Sequence, residues 1–194
     1  MNNHSRLEAS ESLEENPMDV YEAITIRKSI RSYRPDPIPH DVLRRILEAG
    51  RLAPSAANRM PWKFIIVTEP QKRRTLADLC SYGKFLAESP VVIVGCGDRK
   101  SSPKWCVVDT AIALENMVLA ATGEGIGTCW IGSFPEEKVK SLLKIPDDFS
   151  VVALLAVGYP KDGMDLIRLA SRLLRPTKAL TDIARLNEFT SPWS

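Results

Sequence analysis

Arg27, Lys28, Ser29, Ile30 and Arg31 place three cations and a hydroxyl within five residues. A phosphate monoester carries nearly two negative charges, and a guanidinium offers it a bidentate fork of N–H donors. The same cations follow a predicted helix C-terminus, where positive charge is favourable by ~0.3–1 kcal/mol without any ligand. The pentapeptide alone leaves both readings open. Pro54, Ser55, Ala56, Ala57 and Asn58 form a second group. Asn donates and accepts at once, which suits the edge of a heterocycle; an ordinary turn using Ser and Asn for local hydrogen bonds fits the same letters. The third is the run from Gly123 to Phe134, with glycines at 123, 125, 127 and 132. Glycine permits backbone angles closed to other residues and lets the main chain approach a bound group. Read alone, the run is a helix stop followed by a short core strand. Arg172 and Arg175 either close on the same anion or form a solvated basic face, and Trp62 and Trp130 read as core aromatics.

The elements that must position these residues centre on a helix from Val107 to Thr122. Its polar residues, Asp109, Thr110, Glu115, Asn116 and Thr122, do not gather on one side. A helix apolar nearly all round must be enclosed by its own domain or by a partner chain. Before it, Asp19 caps a short helix reaching about Arg27, and Pro35, Pro37 and Pro39 make an extended connection. His40 to Leu52 is amphipathic and helical. Trp62 to Val67 reads as a strand. Pro70 to Cys80 reads as a basic helix with Lys72, Arg73 and Arg74 outward, and Val91 to Cys96 as a buried strand. After the glycine run, Ser133 and Glu136 have capping-box spacing. Val151 to Val157 is a third buried strand, Leu166 to Arg175 is irregular, and Thr177 to Asn187 is a last helix. Strands separated by helices imply a sheet between helical layers.

The totals exclude several classes. Twenty-six basic residues against 24 acidic among 194 give no support for nucleic acid or a membrane surface as partner. The apolar run at Val91–Cys96 is too short to span a bilayer, and Met1 to Asn16 lacks the apolar core of a secretory signal. Cys80, Cys96, Cys106 and Cys129 show no C-x-x-C pairing and read as free thiols of a reducing, cytoplasmic compartment. With only His4 and His40, a zinc site or a Ser-His-Asp triad has almost no raw material. Residues 1–17 read as a disordered tail and 18–194 as one domain.

Taken together and in order, "RKSIRSY", "APSAANRMPWKFIIV", "DTAIALENMVLAATGEGIGTCWIGSF" and "AVGYP" resemble the FMN-dependent nitroreductase family over Met18 to about Asp182. The resemblance implies an α+β fold of three layers, α/β/α, with a central mixed sheet and a buried helix at a dimer interface. It implies a homodimer with FMN in a groove between subunits, and NADPH or NADH as reductant. Arg27 and Ser29, with Lys28 adjacent, would hold the phosphate and ribityl chain, and Arg31 would lie near the N1 and O2 edge. Ser55 and Asn58 would come from the partner, Gly132 and Ser133 would offer N–H groups to N5 and O4, and Arg175 would complete the phosphate site. The chain departs from the family with Met60 where Gln is common, with Leu173 where a cation is usual, and with a short segment between Cys80 and Asp109. The implied activity is ping-pong hydride transfer through flavin N5 to a nitroaromatic, quinone or similar acceptor. Competing readings are a reductive dehalogenase or flavin-fragmenting enzyme of the same superfamily, and a non-catalytic flavin-binding dimer.

Overall fold

The computed structural model describes residues 18–161 and 177–193. The expected N-terminal tail and the basic stretch Leu166–Arg175, with Arg172 and Arg175, lie outside the described residues. Helix α1 (Val20–Ile26) starts at Asp19, whose carboxylate accepts from the Tyr21 N–H, the cap read from the sequence. There follow α2 (His40–Arg51), β1 (Trp62–Val67), α3 (Pro70–Leu79), β2 (Val91–Asp98), α4 (Cys106–Gly123), β3 (Gly127–Ile131), α5 (Glu136–Leu143), β4 (Phe149–Gly158) and α6 (Leu180–Ile183).

The strands form one sheet in the order β1-β2-β4-β3, and every ladder is antiparallel. The parallel component of the expected mixed sheet is confined, among the described residues, to a bridge between Ser29 and Thr128. Alternation along β2 sends Val92, Val94 and Cys96 to one face and Val91 and Ile93 to the other. On β4 the parity changes: Val151 shares a face with Leu154 and Ala156 because the register slips one residue opposite Gly95 and Cys96. That extra residue is a bulge. The first face is covered by Leu76, Leu86 and Val139, the second by Ile46, Leu114, Met117 and Val118. Helices on both sides of an antiparallel sheet give the expected three-layer α+β architecture.

Helix α4 lies directly on the sheet backbone. A Cβ at Gly97 would stand 2.9 Å from the Cys106 carbonyl oxygen, and one at Gly95 would stand 2.6 Å from the Leu114 side chain. Arg45 ties α2 to the end of α4 by two bonds to the Glu124 carboxylate, Nε at 2.6 Å and Nη2 at 2.8 Å. By length and composition α4 could cross a bilayer, but its inner side belongs to the core. Its Val107, Val108 and Ile112 remain exposed, as do Val20, Tyr21 and Ile24 of α1, which packs on it. Among the described residues of one chain the helix is therefore enclosed on one side only.

Three expectations need correction. Ser133 and Glu136 form no capping box: α5 starts at Glu136 with Pro135 as its N-cap, so Glu136 is the first helical residue rather than the third. Its carboxylate instead accepts from the Val151 N–H at 3.0 Å and pairs with Lys140 at 3.2 Å. Arg73 does not face outward with its neighbours; it donates to the carbonyl oxygens of Thr68, Ala87 and Ser89, and burial holds its guanidinium below the usual pKa. The last helix shrinks to the four residues of α6, none of them buried; Leu180 and Ile183 stay exposed, and a short helix whose apolar side is not packed is not self-sustaining. The four cysteines are free and buried, as the spacing suggested.

Candidate functional site

After α1 the backbone runs extended along the outer edge of β3. Ser29 bridges Thr128 in parallel, and the Ile30 N–H donates to the Thr128 carbonyl at 2.8 Å. Ile30 packs into the core and against Gly127, where a Cβ would stand 2.7 Å from Ile30 Cγ1. Only glycine admits that approach. An extended chain alternates sides, so with Ile30 inward its neighbours Ser29 and Arg31 turn away from the core, and Arg27 precedes them as the C-cap of α1. The Arg27 Nε lies 3.9 Å from Glu115 of α4, which also accepts from the Trp130 indole N–H at 3.2 Å. Tyr33 anchors the segment from behind; its hydroxyl donates to the Ile30 carbonyl at 2.6 Å, and burial raises its pKa.

At the end of β3 the glycine run divides. Gly127 to Ile131 is the short core strand of the plainer reading, while Gly132 and Ser133 leave the sheet. Their N–H groups donate to no acceptor among the described residues, and a Cβ at Gly132 would meet nothing within 4 Å. The Ser133 carbonyl accepts from the Ser81 N–H at 3.2 Å, which fixes the turn.

The loop with Ser55 and Asn58 lies elsewhere. It enters β1, at the opposite edge of the sheet from β3. Three strand spacings separate those edges, about 14 Å. Among the described residues no hydrogen bond or ion pair joins Ser55 or Asn58 to Arg27, Ser29 or Ser133. One chain thus assembles Arg27, Lys28, Ser29, Arg31, Gly132 and Ser133 along one edge and Ser55 and Asn58 along the other. The loop is tightly made: Ala57, Asn58 and Met60 take positive φ of 52°, 53° and 46°. Ser55 Oγ accepts from the Met60 N–H at 2.9 Å, and the Ser55 carbonyl accepts from the Asn58 N–H at 2.9 Å. Asp109, 3% exposed on α4, accepts from the Ala56 N–H at 3.2 Å and 3.3 Å through its two oxygens. Sequence reading passed over Asp109 and Glu115 as scattered polar residues of an apolar helix; their position on a helix with little room for polarity was the available signal.

Cations and a hydroxyl gathered on one short segment, beside a strand end whose two N–H groups meet no acceptor among the described residues, define a protein able to grip an anionic tail and a flat polar edge together. These donors suit FMN, whose phosphate needs the former and whose ring edge accepts from the latter. The nitroreductase family profile matches residues 24–83 and 80–159. The structure of a nitroreductase family protein from Clostridium novyi NT is 34% identical with a TM-score of 0.71, the match covering 91% of this chain and 97% of that one. An FMN-dependent nitroreductase from Clostridium difficile R20291 is 26% identical with a TM-score of 0.71, over 86% and 98% of the two chains. An NADH dehydrogenase from Thermus thermophilus is 30% identical over 181 residues, 75% of this chain and 88% of that protein. The chain belongs to the nitroreductase family.

Proposed function

We propose that this chain is an FMN-dependent NAD(P)H oxidoreductase acting as a homodimer, with FMN in each groove between subunits. The observation that carries the reading is the division of the site: its cationic half and its Ser55–Asn58 half sit on opposite edges of one sheet. The exposed apolar side of α4 gives a second copy a surface to cover. Arg27 and Ser29 hold the phosphate and ribityl chain, with Lys28 adding charge. Arg31 lies by the N1 and O2 edge, where a cation favours the reduced ring. Gly132 and Ser133 donate N–H bonds to the N5 and O4 edge, and Arg175 completes the phosphate site. Ser55 and Asn58 of the partner subunit close the groove.

Bound FMN supplies the redox chemistry, accepting hydride from NADPH or NADH and passing two electrons to a nitroaromatic, quinone or similar acceptor. The chain contributes position and charge rather than an acid or base. The segment between Cys80 and α4 holds only the single turn Lys84–Ala87, β2 and a short connection, so this segment has little chain to spare for a lid, which supports broad specificity. Four buried thiols suit a reducing, cytoplasmic setting.

The test begins with colour. Purified protein should be yellow and dimeric by sedimentation, and anaerobic NADPH or NADH should bleach it. Yellow protein that neither nucleotide bleaches would leave a binding module; colourless protein that takes up no added FMN would end the flavin reading.

A further inference from the structure

We infer that Asp109 is the positioning residue that holds the Ser55–Met60 loop in its ligand-competent shape, an inference that rests on the proposed FMN groove. Among the described residues, 55–60 make their other hydrogen bonds among themselves, Met60 N–H to Ser55 Oγ, Asn58 N–H to the Ser55 carbonyl and Arg59 N–H to the Ala56 carbonyl. Among the described residues, the Ala56 N–H to the Asp109 carboxylate is their hydrogen-bond tie to the body of the protein. Three residues of the loop other than glycine are left-handed. Such a conformation persists only where its surroundings over-determine it. Ala57 and Asn58 are exposed, so packing does not supply that constraint.

Asp109 is equipped for the task. It sits in the first turn of α4, where the helix end favours a negative charge. No Lys or Arg pairs with it among the described residues. A carboxylate so deeply buried is costly unless hydrogen-bonded, and here its partner is the loop amide. The same helix carries Glu115 beside Arg27 six residues on, a little under two turns. Thus α4 sets one loop at its start and borders the phosphate segment at its middle.

The experiment compares Asp109→Leu, which keeps the branched side-chain shape and removes both acceptor oxygens, with the wild-type full chain. Hydrogen exchange at the amides of residues 56–60, FMN and riboflavin affinity, and the visible circular dichroism of bound FMN at saturation are measured. Losing a hydrogen bond to a charged group should weaken both flavins by about tenfold and equally, since Ser55 and Asn58 offer a hydroxyl and an amide, which suit a ring edge, and no cation for the phosphate. Loop amides should exchange faster, and the bound-flavin spectrum should change shape. Unchanged loop exchange and spectrum at saturation, whatever the melting temperature does, would overturn the inference and leave Asp109 a packing residue. A loss confined to FMN would overturn it too. If the variant does not fold, exchange in the wild type decides: an Ala56 amide exchanging as fast as an unbonded one refutes the tie. Wild-type protein that binds neither flavin defeats the functional reading, which the exchange data distinguish from failure of the Asp109 contact itself.

Discussion

Replacing Arg27 by Ala tests the phosphate site most directly. The guanidinium's present ion-pair partner is Glu115 at 3.9 Å, with the two side chains 37% and 46% exposed. So open a pair contributes about 0–1 kcal/mol to folding, and the variant should fold normally. A charge-assisted contact to phosphate is worth about 1.5–3 kcal/mol. Because this guanidinium stays partly hydrated, the lower figure applies, and about 1.5 kcal/mol is roughly tenfold in dissociation constant. The assay is quenching of flavin fluorescence on titration into apoprotein, run with FMN and with riboflavin, which has the same ring and no phosphate. FMN should bind about tenfold more weakly while riboflavin is unaffected. Equal losses for both flavins, or unchanged FMN binding, would refute the placement of the phosphate at Arg27.

Further expectations rest on other contacts. Gly127→Ala puts a methyl 2.7 Å from Ile30 Cγ1; overpacking of this kind costs about 1–3 kcal/mol, readable as a lower denaturation midpoint together with weaker FMN binding. Ala57→Gly relieves a φ of 52°; against the left-handed cost of ~1–2 kcal/mol, the looser unfolded glycine chain returns ~0.5–1, so the melting temperature should rise by about 2 °C. Burial pushes the Cys80 and Cys96 thiols up to about 11. Their folded pKa lies above the unfolded value, so their contribution to stability is full below about 8.5 and fades as pH climbs through 11. Urea midpoints should fall over that alkaline window, and a disulfide reagent at neutral pH should label the unfolded chain far faster than the native one.

Local patterns carried much of this molecule into view. The strand Trp62–Val67 and the helix around Val107–Thr122 are legible because apolar residues dominate each and proline or glycine stands near their ends. The cationic pentapeptide is legible by charge, but its pairing with Thr128 is not, since a bridge across 99 residues leaves no local trace. Arg73 was misread for the same reason: Ala87 and Ser89, 14 and 16 residues on, supply the carbonyls that draw it in. The Ser133–Glu136 spacing failed because Pro135 sets where the helix begins. Asp109 and Glu115 acquire meaning only when the loops around α4 are known.

The separation of the Ser55–Asn58 loop from the Arg27–Arg31 edge has a genetic consequence. In the proposed dimer each groove borrows its loop from the other polypeptide, so a lesion at Asn58 injures the flavin whose cations its companion supplies. Two defective alleles, one altered at Arg27 and one at Asn58, would on pairing concentrate both faults in one groove and leave the other whole.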